Sequence, residues 1–367
     1  MKKIVIDARG YSTSTGRYVR NLIKYLEVLE AKQTSRTYQV LLQKKEFADY
    51  TPQSENFSKL EADFAFNTFS EQLGYLKFIK TLDADLVHFT MPQQPVFYRG
   101  NCVTTMHDLT LVRVYPGNKN WLVFKLKQLA GVYAYKKIAS SNTYIIAPSQ
   151  YTKDDYVQWA NINPEKVTVT HESADATNQK AIPYKKLVGK KYIMYVGQQS
   201  NYKNIWRLMQ AHQRLLNAFP ELQLVLVGKP NNNGLKEKKR AEQLGYKNIV
   251  YTGFVNDGKL AWLYTNCAAY VFPSLMEGFG LPALEAMHYN TPVVSSNATC
   301  MPEVLGEAAV YFDPKDVEEM ASQIKKVLSG PALQKKLIAN GKKQLKKYSW
   351  KRMAEQTLEL YKKSLEP

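Results

Sequence analysis

Short apolar runs alternate with amphipathic stretches along the whole chain, the pattern of parallel strands covered by helices. In the first half "KIVIDA" predicts a strand, and "GRYVRNLIKYLEVLE" predicts a helix because Val19, Leu22, Leu26 and Leu29 recur at helical spacing. "TYQVLLQ", "DLVHFT", "NCVTTMHD" and "TYIIAPS" read as further strands, the last followed by a helix over "YTKDDYVQWA". The second half restarts with "YIMYVG" and a helix. "LQLVLVG", "NIVYTGF", "AAYVFPS" and "PVVSSN" follow, cores of Val, Ile and Tyr that mostly close on Gly, Pro or Ser. Between the halves, "ADATNQKAIPYKKLVGKK" is polar and basic and reads as a linker. A chain of 367 residues exceeds what one core usually holds. The expected organisation is a Rossmann-like domain over 1–176, a linker over 177–190, a second Rossmann-like domain over 191–348 and a last helix over 349–367.

In open parallel sheets, ligands bind beyond the carboxyl ends of the strands. The small, polar loop "RGYSTSTGR" follows "KIVIDA" and opens a helix at Gly16. His107 and Asp108 follow "NCVTTM", "QQSNYKN" follows "YIMYVG", and "EGFGLPALEAM" follows "AAYVFPS". In the last of these, Pro282 suits a first helical turn and Asn290 a left-handed stop, so a short helix over 281–289 is predicted. Gly278 and Gly280 leave its N-terminus open to an anion. Glu285 lies one turn inside, among Leu281, Ala283, Leu284, Ala286 and Met287, where an ionised carboxylate needs a partner. Two vicinal hydroxyls of a sugar would supply one, and Glu277 stands ready on the other side of the turn.

Composition narrows the context. Three separated cysteines with no CxxC pair fit a reducing compartment and argue against a disulfide framework or a zinc site. The apolar run before Asp7 is too short for a signal peptide, and no stretch is long and apolar enough to span a bilayer. A protein of the cytosol, or one that sits on a membrane surface, is expected. Net charge is +18, much of it in "LQKKLIANGKKQLKKYSWKR", which carries eight basic residues and no acid. That excess reads either as a solvated face or as attraction to phosphate-rich partners. The stretch 114–141 mixes Trp121, Phe124, Leu126, Leu129, Val132, Tyr133 and Tyr135 with lysines and no acid. Two readings stand for it, a core helix with solvated lysines or a segment lying on an anionic membrane.

The motif "PSLMEGFGLPALEAM", with seven residues between Glu277 and Glu285, resembles the retaining glycosyltransferases of family 4 with the GT-B fold. The likeness continues through "TPVVSSNATCMPEVLGEAAVYFDPKDVEEMA", "VYTGFVNDGKLAWLYTNCAAYVFPS", "GRYVRNL" and "TMHDL". It implies an α/β chain of two doubly wound parallel-sheet domains facing a central cleft. It also implies transfer of a hexose from a nucleotide diphosphate sugar to a glycan or polyprenyl-diphosphate-linked acceptor, without a metal or other cofactor. By that resemblance Glu277 would bond donor-sugar hydroxyls and Glu285 the ribose. Backbone at Gly278, Phe279, Gly280 and Leu281 would meet sugar and diphosphate, and Val255 and Asn256 would lie by the base. Gly16 would let its loop close over the diphosphate, His107 would reach the transferred sugar, and Lys203 would neutralise phosphate. An arginine that members carry beside this lysine is replaced here by Gln198 or Tyr202, with Arg207 one turn on as a substitute. The combination with "MHDL" favours GDP-mannose, with UDP-sugars as the alternative donors and a weakly active or binding-only member as the alternative role. A nucleic-acid binder is disfavoured, since no recognition motif appears and the tyrosines scatter. Location at the inner membrane face completes the expectation.

Overall fold

The computed structural model describes every residue except 14, 115–120, 142, 178 and 367. The chain divides into two units, one formed by residues 1–112, 126–172 and 349–367, the other by 113–125 and 173–348. The first is built on seven parallel strands: β1 (Lys2–Asp7), β2 (Arg36–Leu42), β3 (Phe57–Glu61), β4 (Leu86–Phe89), β5 (Cys102–Thr105), β6 (Tyr144–Ala147) and β7 (Val167–Val169). Their spatial order is β3-β2-β1-β4-β5-β6-β7. The second holds β8 (Tyr192–Val196), β9 (Gln223–Val227), β10 (Ile249–Gly253), β11 (Ala269–Phe272), β12 (Val293–Ser296) and β13 (Ala309–Phe312), in the order β10-β9-β8-β11-β12-β13. Both orders reverse direction beside the first strand of the unit, which opens a crevice at the strands' carboxyl ends.

β3, β7 and β13 were not among the predicted strands. Each is a sheet edge, short or partly exposed, and "FSKLE" and "VTV" lack the continuous apolar run that two-sided burial imposes. The helix Gly16–Glu30 forms as predicted, because Tyr18, Val19, Leu22, Ile23 and Leu26 make one buried stripe. Full burial of each such aliphatic side chain contributes about 1.5–3 kcal/mol. The last helix, Trp350–Leu365, belongs to the first unit and packs along Gly16–Glu30. Trp350, Met353, Leu358 and Tyr361 are its buried anchors, and the Asn101 side-chain amide donates to the Ser364 carbonyl at 2.6 Å. The segment read as a linker is partly built into the second unit: Leu187 is buried, and the Ile182 N–H donates to the Gly258 carbonyl. Its residue 178 lies outside the described residues.

Candidate active site

In the second unit the chain leaves β8, makes one 3-10 turn over Asn201–Lys203, and enters the helix Ile205–Leu215 through Asn204, held at φ 61°. Asparagine tolerates this left-handed conformation, and its side chain does more. Its amide donates to the carbonyls of Pro273 (3.0 Å) and Pro314 (2.7 Å), while the Leu275 N–H donates to the Tyr202 carbonyl (2.7 Å). These bonds lace the loop after β8 to the loop after β11. They bring the Lys203 ammonium to 2.7 Å from Glu277 Oε1, with both side chains largely buried. Burial opposes the charge of Lys203, but Glu277, Tyr202 and Tyr195 outweigh it and the pKa is raised. The Glu277 N–H donates to Thr299 Oγ1 at 3.2 Å, which fixes the backbone under the carboxylate.

The second glycine of the Gly-Phe-Gly turn has a steric cause. Gly280 stands at φ 93° as N-cap of the helix Leu281–His288, and a Cβ there would lie 2.9 Å from Met301 Sδ and 3.1 Å from the Phe272 ring. Phe279 is buried edge-on against Tyr348, at 5.4 Å between centroids. The helix closes at Asn290, with φ 57°. Glu285, left without a partner by sequence reasoning, accepts from the Tyr264 hydroxyl at 2.9 Å. Tyr264 stacks in turn on Tyr289, with centroids 5.4 Å apart. Asn256, after β10, caps the helix Asp257–Thr265 by accepting from the Lys259 N–H at 3.0 Å, and Val255 beside it is half-buried. Gln198 is exposed after β8, its carbonyl accepting from the Tyr195 hydroxyl. Arg207 donates to Asn204 Oδ1 at 3.0 Å.

In the first unit, Gly16 opens its helix where a Cβ would lie 2.0 Å from the Tyr11 carbonyl oxygen, so Gly16 sits tightly against the Tyr11 backbone. Residue 14, in the loop between them, lies outside the described residues. Sequence reasoning missed what holds this loop. Arg9 is fully buried, paired to Asp7 (2.9 Å) and Glu71 (3.0 Å), with its guanidinium 3.7 Å from the Tyr75 ring centroid and 4.6 Å from that of Phe66. His107 follows β5. Its Nε2 meets the Thr90 carbonyl at 2.9 Å and its Nδ1 meets Glu172 Oε1 at 3.2 Å. Burial lowers its pKa but Glu172 overcomes this, and the net direction is upward. Glu172, 65 residues away in sequence, carried no local signal. Among the described residues no group of His, Cys, Asp and Glu side chains could hold a metal ion.

Two parallel-sheet units of this kind, with a lysine–carboxylate pair beside a glycine-capped helix at the strand ends, define the architecture of a GT-B glycosyltransferase. Residues 178–344 match the model "Glycosyl transferases group 1" and residues 15–177 match "Glycosyltransferase Family 4". The chain belongs to the family 4 glycosyltransferases of the GT-B fold. It is 27% identical over 387 aligned positions to O-antigen chain mannosyltransferase B of Escherichia coli, covering 95% of this chain and 96% of that one. It is 32% identical over 235 positions to MMP alpha-(1->4)-mannosyltransferase of Mycolicibacterium hassiacum, covering 63% and 56%. The solved structure of Anabaena Alr3699/HepE in complex with UDP and glucose superposes with a TM-score of 0.76 at 17% identity, over 99% of this chain and 100% of that one.

Proposed function

We propose that this glycosyltransferase moves mannose from GDP-mannose to a hydroxyl of a glycan or polyprenyl-diphosphate-linked acceptor, with retention of anomeric configuration and without a metal. The observation that carries the reading is the Lys203–Glu277 pair, held at 2.7 Å beside the Gly280-capped helix. The ammonium suits a diphosphate oxygen and the carboxylate suits sugar hydroxyls, so a nucleotide diphosphate sugar would replace their mutual contact with one partner for each. The mannosyltransferase of Escherichia coli aligned along nearly the full chain supports the sugar.

In this reading Lys203 and the helix start at Gly278, Phe279, Gly280 and Leu281 stabilise the leaving diphosphate, the task a metal performs elsewhere. Attack by the acceptor occurs on the face that the diphosphate leaves, and the departing phosphate takes the acceptor proton. Glu285 bonds the ribose with the oxygen capacity that Tyr264 leaves it, and Val255 and Asn256 lie by the base. Gln198 donates to phosphate where an arginine would bring charge, Gly16 serves the diphosphate loop, and His107 serves the sugar. The alternative donor is a UDP-sugar, in line with the UDP and glucose found in HepE. A donor panel assayed by release of free nucleoside diphosphate separates them: turnover is expected with GDP-mannose only when acceptor is present. Turnover with UDP-glucose or UDP-N-acetylglucosamine alone overturns the mannose assignment, and no turnover with any donor leaves a binding-only protein.

The same reading places the enzyme at the inner face of the cytoplasmic membrane. Residues 115–120 of the lysine-rich stretch lie outside the described residues; the helix Trp121–Ser141 follows. It is apolar on two opposite faces. Phe124, Tyr135 and Ile138 are buried, yet Leu126, Leu129 and Tyr133, at i, i+3 and i+7, are 69%, 65% and 48% exposed. Lys127 and Lys136 are exposed beside that stripe, and the helix carries no acid. A surface helix normally turns only one apolar stripe, the inward one. An outward stripe flanked by lysines fits an anionic lipid headgroup layer, where each lysine contributes about 1 kcal/mol. No helix among the described residues is long and apolar enough to cross the membrane. In flotation assays the protein is expected to rise with anionic liposomes, to detach as salt increases, and to lose binding when Lys125, Lys127, Lys136 and Lys137 become glutamine. Equal binding to neutral and anionic vesicles, or to neither, sinks this placement.

A further inference from the structure

His107 has an acceptor on both sides of its ring. The Thr90 carbonyl oxygen, 2.9 Å from Nε2, can only accept. The Glu172 carboxylate stands 3.2 Å from Nδ1. A neutral imidazole carries one N–H and one lone pair, so one of these contacts would set a lone pair against an oxygen. Imidazole is the more basic of the two side chains in water, so the shared proton belongs on Nδ1 and the ring donates twice. The site admits little water, with His107 13% and Glu172 7% exposed, and the charge is therefore compensated by protein and not by solvent.

The remaining neighbours do not compete for that role. The Tyr18 ring, from the helix Gly16–Glu30, stands edge-on to His107 at 5.0 Å and 83°. Its hydroxyl bonds Thr105 Oγ1 at 2.8 Å, and burial keeps it un-ionised. His88, on β4, is held neutral: burial, and secondly the charge of His107, push its pKa down to about 3. Its nitrogens meet Thr105 Oγ1 at 2.9 Å and the Tyr361 hydroxyl at 2.5 Å. Asp108, next in the chain, accepts from the Thr110 N–H at 2.8 Å and adds to the pull on the imidazolium. Glu172 is thus the carboxylate in direct contact with the ring, and it is the last residue of the first unit before the chain enters the second.

We propose that Glu172 is a positioning residue for His107, holding it as a doubly donating imidazolium, so that His107 offers the reaction fixed positive charge and never acts as a proton acceptor. The inference rests on the reading that His107 serves the transferred sugar. A leaving diphosphate gains negative charge in the transition state, and a fixed cation favours that step, whereas a neutral histidine would not. Charge loss through the alkaline range then becomes an activity loss. Because the histidine's pKa is raised, the charged form persists below it and is lost as pH rises through it.

The test pairs two readouts on the full chain. The first is the titration of His107 by NMR of histidine-labelled protein, assigned among the five histidines with His107→Asn. The second is the pH profile of kcat/KM with the donor that the panel selects. Glu172→Gln keeps an oxygen acceptor for Nδ1 but removes the charge. It is expected to lower the His107 midpoint by about one unit or more, and to move the alkaline limb of kcat/KM down by the same amount. Glu172→Asp is expected to restore both. An unmoved His107 midpoint in Glu172→Gln overturns the inference, whatever the activity. A moved midpoint with an unmoved kinetic limb overturns the use of that charge in the reaction. Failure of transfer with every donor defeats the proposed function itself, and the NMR midpoint still reports whether Glu172 holds the imidazolium.

Discussion

Replacing Lys203 by alanine is expected to lower kcat/KM by about 10²–10³-fold, the effect commonly seen when one preorganised donor to a developing anion is lost. The size follows from the surroundings. The ammonium is largely buried, fixed by the Asn204 and Leu275 hydrogen bonds that lace its loop to the Glu277 loop, and paired at 2.7 Å. Little reorganisation remains to be done when a phosphate arrives, which is where preorganised charge gains its advantage over water. The variant also strands the Glu277 carboxylate, so a change in folding must be separated from a change in chemistry. Thermal unfolding recorded beside kinetics does this, and Lys203→Met, which keeps the packing stem, should be as inactive as Lys203→Ala. Turnover within about threefold of the parent in both variants would remove Lys203 from the site.

Replacing Arg9 by methionine is expected to cost about 3–5 kcal/mol of stability in the first unit, because two buried carboxylates lose their shared counter-charge. Asp7 and Glu71 are 4% and 1% exposed, and both depend on one guanidinium. Burial pushes the Glu71 carboxyl above the usual range while Arg9 pulls the other way. Without Arg9 the Asn67 N–H, 2.8 Å from Glu71 Oε2, still pulls downward, but burial outweighs it and the carboxyl rises further. The sign of the pH dependence is then fixed: a carboxyl whose folded pKa lies above its unfolded value stabilises the fold at low pH and loses that contribution as pH rises. The deficit of Arg9→Met should therefore shrink on acidification. Urea unfolding at neutral and acidic pH measures both quantities. Adding Asp7→Asn and Glu71→Gln to Arg9→Met should recover part of the loss, since a pair replaced whole costs less than a pair broken. A single-variant cost below about 1 kcal/mol would show that the network contributes nothing net.

What the sequence disclosed and what it withheld separate by the range of the interaction. The central strands announce themselves because burial on both faces writes continuous Val and Ile runs, and Gly16–Glu30 because its stripe repeats at helical spacing. The edges β3 and β7 carry no such run, and β13 is a four-residue edge whose middle residues are only half-buried. Lys203 and Glu277 could each be picked from a local motif, yet their contact spans 74 residues and no spacing rule encodes it. Arg9 sits in a stretch that looked like a polar loop; its burial depends on Glu71, 62 residues on. Glu172 is the same case. In the helix Trp121–Ser141, periodicity could not choose a buried side, because apolar residues occupy both faces.

The last helix sets the order in which the protein can be made. Residues 349–367 complete the first unit, burying Tyr361 beside His88 and Trp350 and Met353 in the same core. Synthesis proceeds from the amino end, and domains generally fold as they emerge. Here the unit encoded first is finished only after the whole of the second has left the ribosome. Until then the apolar floor that Trp350, Met353 and Tyr361 will cover stays open, along the flank of Gly16–Glu30. The second unit, contiguous over 173–348 apart from residues 113–125, has most of its chain in hand earlier. A nascent chain of this protein therefore pairs a nearly complete second unit with an unsealed first unit. Arrest or truncation just before residue 349 would leave the earlier-made half, and not the later one, exposed to aggregation and proteolysis.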